Sequence, residues 1–143
     1  MARYRTTVSS DRPPGDAFAY MAAFENVQTW DPGVVEAQRL TPGEVGVGST
    51  FRVVVSSAGR RLPLEYRVRD LDPGRRIVLV AETATLRSVD EITVEPDGSG
   101  SQVTYDADLE LTGALRWFNP LLGLFFNRIG DRARDGLRRE IGR

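Results

Sequence analysis

The chain contains no cysteine, no histidine and no lysine. Without cysteine there is no disulfide, no thiolate nucleophile and no thiolate metal site. Without histidine there is no imidazole base, no Ser-His-Asp triad and no histidine metal ligand. Without lysine the chain forms no Schiff base and builds no phosphate-binding P-loop. The 19 basic residues are therefore all arginine, scattered along the chain, and with 20 acidic residues they leave a net charge of −1. That balance gives no nucleic-acid partner and no anionic-membrane surface. No apolar run reaches the roughly 18 residues of a membrane span. Met1-Ala2-Arg3-Tyr4 is followed by no apolar run of the kind a signal peptide needs, so a cytoplasmic location is the default expectation.

What remains is ordinary for a globular protein. The 143 residues, 41% hydrophobic and 27% charged, are enough for one domain over 1–143 with a real core. The rest of the chain is organised around its last thirty residues or so. Leu115, Phe118, Leu122, Phe125, Ile129, Ala133, Leu137 and Ile141 recur at spacings of three or four and draw one apolar stripe down a helix. Arg128, Asp131, Arg132, Asp135, Arg138 and Arg139 fall on the opposite face. Asn119-Pro120 supplies the start, asparagine as cap and proline at the first helical position. From Pro120 to Gly142 such a helix is roughly 34 Å long and needs a large apolar partner.

The preceding sequence supplies that partner as strands. Residues 3–9 read as the first. Ser10 or Asp11 then caps a short helix begun by Pro13-Pro14, and Ala17, Phe18, Met21, Ala22 and Phe24 give it an apolar side. Asn26 to Trp30 reads as a second short helix ended by the turn Asp31-Pro32-Gly33. Six strands follow: Val34–Leu40, one around Phe51, Leu62–Val68 with alternating phase, Ile77–Glu82, Leu86–Glu95 and Val103–Leu111. Asp97-Gly98-Ser99-Gly100 is a hairpin signal between the last two. Connections this short imply antiparallel pairing and an α+β class.

Several punctuation motifs stand in a telling order. They are Trp30-Asp31-Pro32-Gly33, Gly46-Val47-Gly48 before Phe51, Leu71-Asp72-Pro73-Gly74, and Glu95-Pro96-Asp97-Gly98-Ser99-Gly100 leading into Val103-Thr104-Tyr105. With them, essentially the whole chain resembles the START-like superfamily of polyketide cyclases/dehydrases and lipid transport proteins. The resemblance implies a helix-grip fold: a seven-stranded antiparallel sheet wrapped around a long C-terminal helix, with two short helices between strands 1 and 2. It also implies a cavity between sheet and helix that takes an apolar ligand. The same fold hosts carriers, receptors, cyclases and co-chaperones, so it does not name that ligand.

Strand phase nominates the residues that would line such a cavity. Phe51, Val53, Leu62, Leu64, Tyr66, Val68, Val103, Tyr105 and Leu109 share the inner sheet face, and Phe118, Leu122, Phe125 or Phe126 and Ile129 come from the helix. These form either a filled core or a ligand chamber. Tyr66 and Tyr105 are its polar handles, since a buried phenol finds a hydrogen-bond partner. In the strand from Leu86, residues Leu86, Ser88, Asp90, Ile92 and Val94 share one face. If that face is inward, Asp90 is costly unless paired or protonated. It then pairs with an arginine such as Arg52 or Arg39 near the open end of the sheet, or anchors a ligand, or acts as a general acid or base with a raised pKa. Trp30 either caps the cavity mouth or seals the helical insertion against the sheet. Of Trp117 and Phe118, one should point inward and the other out. Asp106, Asp108 and Glu110 alternate on an outward face and read as solvated, because one strand cannot supply a convergent metal site. No metal and no cofactor are expected.

The candidate ligand-binding set is thus Trp30, Phe51, Tyr66, Ser88, Asp90, Tyr105, Phe118, Leu122 and Phe126, with Asp90 as the candidate catalytic residue. The expected partner is a small hydrophobic or aromatic molecule, lipid-like or polyketide-like, bound by a monomer or homodimer. Two alternatives stand beside this: a cyclase or dehydratase acting on a poly-ketone, working mostly by positioning, and a protein-interaction module marked by an exposed apolar patch.

Overall fold

A computed structural model describes residues 2–57 and 59–142, without the side chains of 57, 114, 118 and 120–125. The sequence-predicted order holds. Strand β1 (Ala2–Ser10) leads into α1 (Pro14–Ala22), a 3-10 turn (Phe24–Asn26) and the one-turn helix α2 (Val27–Trp30). Then come β2 (Val34–Arg39), β3 (Thr50–Ser57), β4 (Arg60–Asp72), β5 (Arg76–Glu82), β6 (Leu86–Asp97) and β7 (Gly100–Leu111). A 3-10 segment (Gly113–Phe118) joins β7 to α3 (Asn119–Ile141).

The strands form one antiparallel sheet in the order β1-β7-β6-β5-β4-β3-β2. Consecutive strands β2 to β7 are a meander, and β1 closes the far side next to β7. Because β1 and β2 lie at opposite edges, the chain between them must cross a whole face of the sheet. Helices α1 and α2 make that crossing and cover the apolar face beneath them. The β6–β7 hairpin is set by its turn: Asp97 pairs with Gly100, and Gly98 adopts φ 62°. Shifts in register between Val34 and Glu36 and between Val68 and Asp70 mark bulges, which bend β2 and β4.

Helix starts differ from expectation. Pro13, not Ser10 or Asp11, occupies the N-cap of α1, and no side chain caps it. Ser10 is fully buried, and its Oγ accepts a bond from the Arg12 amide. Asn119 is itself helical and does not cap α3. Instead its side chain clips the helix to the end of β7: Oδ1 accepts the Leu111 N–H at 2.8 Å and Nδ2 donates to the Leu111 carbonyl at 3.1 Å. Replacing Asn119 by Ala strands both groups and is expected to lower stability by about 1–2 kcal/mol in urea unfolding.

The face α3 buries follows the apolar stripe at Ala133, Leu137 and Ile141 but departs from it at Ile129. Phe126, Gly130, Ala133, Gly136, Leu137 and Ile141 are buried, whereas Ile129 is 47% exposed. Leu115, placed on the stripe, lies in the 3-10 segment and is 38% exposed. Two glycines explain the departure at Ile129. A Cβ on Gly130 would overlap the Tyr4 ring, and one on Gly136 would overlap the carbonyl oxygen of Trp30. The helix therefore turns its glycines, not Ile129, toward β1 and α2 to reach the closest approach. Tyr4 completes this seam by donating from its hydroxyl to Asp131 at 2.8 Å.

Candidate functional site

The inner sheet face carries a core of Val8, Phe51, Val53, Leu64, Val68, Ile77, Leu79, Ile92, Val94 and Val103, all buried. Leu62, assigned to the same face, is 39% exposed because it lies toward the β3–β4 turn. Set into this apolar face is a polar chain of four buried side chains from three strands: Tyr66 of β4, Ser88 and Asp90 of β6, and Tyr105 of β7.

Register brings them together. Tyr66 faces Ala81 of β5, which in turn faces Ser88 of β6. The small Ala81 side chain leaves room for the phenol to reach across the strand between, and Tyr66 Oη donates to Ser88 Oγ at 3.0 Å. Ser88 passes the bond on, donating to Asp90 Oδ1 at 2.9 Å. Asp90 faces Leu79 on one side and Ala107 on the other. From the diagonal position on β7, Tyr105 Oη donates to Asp90 Oδ2 at 2.5 Å.

No arginine among the described residues takes part. Arg39 is bound to Glu25 at 2.7 Å and Arg52 lies 3.8 Å from Glu36, so neither pairs with Asp90. Nor does Asp90 sit at an open end: it is 3% exposed and flanked by paired strands. Burial without a cation pushes its carboxyl up to about 6, against the pull of the Tyr105 and Ser88 bonds. Repulsion from Asp31 and Asp108 adds to the rise. Burial likewise lifts both phenols well above their ordinary range, with the Asp90 charge reinforcing it.

The helical insertion holds this chain from above. Phe24 packs edge-on against Tyr66 at 5.1 Å and against Phe51 at 6.1 Å between ring centres. Trp30 packs edge-on against Tyr105 at 5.2 Å. Trp30 is 2% exposed and lies under α3, so it seals the insertion against the sheet and does not form a mouth. Asp31, next to it, is half-buried and crowded enough that desolvation raises its pKa, while Oδ1 accepts the Gly33 amide at 2.9 Å.

Of the nominated residues, Trp30, Phe51, Tyr66, Ser88, Asp90, Tyr105 and Phe126 are all buried on this side of the molecule. The side chains of Phe118, Leu122 and Phe125 lie outside the described residues. Trp117 points outward, 76% exposed with the Arg116 guanidinium 5.1 Å from its ring centre. The outer-face acids are not uniformly solvated. Asp106 pairs with Arg3 at 2.7 Å, and Asp108 is half-buried, its Oδ1 out of solvent and without a hydrogen-bond partner. Sequence reasoning missed Phe24, Ala81, Ala107 and Asp31 as members of the site. The two alanines were visible as gaps in otherwise bulky strands.

Comparison with known proteins follows the same outline. The family model described as polyketide cyclase / dehydrase and lipid transport matches residues 1–142. A START superfamily protein from Mycobacterium smegmatis superposes with a TM-score of 0.79 at 14% identity, covering 99% of this chain and 97% of that one. The protein TTHA0849 from Thermus thermophilus gives a TM-score of 0.76 at 16% identity over 96% of this chain and 94% of that one. The Zhui aromatase/cyclase from Streptomyces sp. R1128 gives 0.68 at 19% identity, over 96% and 94%. At such identities the likeness is one of fold. No curated protein matches the chain in sequence. Among the described residues, no helix is long and apolar enough to cross a membrane.

Proposed function

The chain belongs to the polyketide cyclase / dehydrase and lipid transport family, and from that premise we propose that it binds a small hydrophobic or aromatic molecule between the inner sheet face and α3. The observation that carries this reading is the buried chain Tyr66–Ser88–Asp90–Tyr105. A core built only for stability gains little from an uncompensated carboxylate, since burying a charge without a cation costs more than apolar packing of the same volume. Ligand sites in contrast are apolar chambers with a few fixed polar groups that set orientation. Apolar burial supplies the affinity, and the phenols and Asp90 supply the orientation.

The test is native mass spectrometry of the purified protein, before and after denaturing extraction, followed by calorimetric titration of whatever is released. Tyr105→Phe keeps the ring packed on Trp30 and removes only the hydroxyl. It is expected to fold and to bind the extracted ligand roughly tenfold more weakly, the worth of the one hydrogen bond the phenol oxygen would make with the ligand's polar end. Unchanged affinity in this variant would place the ligand elsewhere.

A second reading, a cyclase or dehydratase, is favoured by the Asp90 carboxyl, whose position near 6 suits proton transfer around neutrality. In that case Asp90 takes a proton from an acidic carbon of a poly-ketone. Turnover of such a substrate, lost in Asp90→Asn with binding retained, would establish it.

A further inference from the structure

The polarity of the site can be read from the direction of its hydrogen bonds. Tyr66 donates to Ser88, Ser88 donates to Asp90, and Tyr105 donates to Asp90. Every hydroxyl proton of the chain is thus spent inward, toward one carboxylate. A phenol has one proton and two lone pairs, and a carboxylate has only acceptor sites. What the chain has left to offer a ligand is lone pairs on the two phenol oxygens and on Asp90, with no free donor.

The charge has the same sign. Asp31 stands close enough to repel Asp90 and both phenols, and the hydrogen bond it takes from the Gly33 amide engages its Oδ1. Every arginine among the described residues is exposed or half-buried, and the ion pairs that arginines form here are with other acids. The rings packed against the chain and beside it are Phe24 on Tyr66 and Phe51, and Trp30 on Tyr105, all of them aromatic and none of them cationic.

Resting on the ligand-binding reading above, we propose that the ligand of this site carries a hydrogen-bond donor at its polar end, best a protonated amine and next a hydroxyl, and that carboxylates are excluded. An ammonium group supplies the missing cation and meets only acceptors. A hydroxyl donates to a phenol oxygen. A ketone finds no donor without breaking the chain, and a carboxylate adds a third negative charge to Asp90 and Asp31.

The experiment is calorimetric titration at neutral pH with two matched sets: decylamine, decanol, decyl methyl ketone and decanoate; and naphthylmethylamine, naphthylmethanol, methyl naphthyl ketone and naphthoate. In the set whose skeleton fits, the amine is expected to bind at least about tenfold tighter than the ketone and about a hundredfold tighter than the carboxylate, as charge-assisted bonds imply. Asp90→Asn should narrow the amine-to-carboxylate ratio to less than about tenfold. Asp31→Asn, which keeps the oxygen that receives the Gly33 N–H, should narrow it as well. Equal affinities, or tighter binding of ketone or carboxylate, would overturn the donor assignment while leaving the apolar site in place. Binding by no member of either set would instead remove the ligand-binding reading, and this inference with it.

Discussion

Substituting Asp90 by Asn is expected to raise stability relative to the unsubstituted protein by roughly 3 kcal/mol as pH is taken from about 3 to about 7. Burial lifts the carboxyl from its ordinary 3.8 to about 6 in the folded protein. In that window the folded state keeps a proton that the unfolded chain has released. Folding then takes up a proton, so stability is lost as pH rises and the loss is complete above the folded value. Two pH units of difference correspond to about 3 kcal/mol. The groups that face Asp90 set its size: Tyr105 and Ser88 hold the carboxylate by their bonds and reduce the shift, while Asp31 and Asp108 enlarge it. Asparagine titrates nowhere in the range. The difference in unfolding free energy between the two proteins, from urea titrations at several pH values, isolates the one carboxyl. A difference that stays flat with pH would mean that Asp90 is not held in the desolvated setting described above.

That setting was half legible in the sequence. Alternation along Leu86–Val94 placed Asp90 with Ile92 and Val94 on the inner face, and the structure keeps it there. Its partner was also within reach, because the Asp97-Gly98-Ser99-Gly100 turn fixes the β6–β7 register and puts Tyr105 on the diagonal. The bond from Tyr66 was not. It depends on two further registers, and the bulge in β4 shifts one of them by a residue that no local pattern announces. It also depends on Ala81 being small, a property that apolar periodicity scores no differently from leucine. The strands and their order were legible because each strand is half-buried and alternates. The helix was legible in extent and, from Ala133 to Ile141, in phase; it missed at Ile129, since the apolar stripe counts side chains and ignores the places that need none. Ile129 met the period and yet faces solvent, while Gly130 and Gly136 face the protein.

Gly136 therefore carries the second large expectation. Alanine in place of glycine inside a helix ordinarily gains up to about 1 kcal/mol, because it restricts the unfolded chain. Here the added methyl would overlap the Trp30 carbonyl oxygen, a backbone atom at the end of α2 that cannot swing aside. Overpacking against backbone outweighs the propensity gain, and Gly136→Ala is expected to cost about 3 kcal/mol net, a fall of roughly 10 °C in Tm for a domain of this size. Gly15 in α1 is the control. Nothing lies within 4 Å of where its Cβ would stand, so Gly15→Ala should leave Tm unchanged or raise it. Opposite signs for one chemical change at two helical glycines would show that α3 is positioned by contact at Gly136. The consequence reaches the site, because Trp30 bears on Tyr105 and precedes Asp31. Where Gly136→Ala still folds, the displaced Trp30 should loosen the Tyr105–Asp90 bond and weaken ligand binding, although no atom of Gly136 enters the proposed chamber. A variant that unfolds earlier but binds at full affinity would separate the seam from the site and confine Gly136 to stability alone.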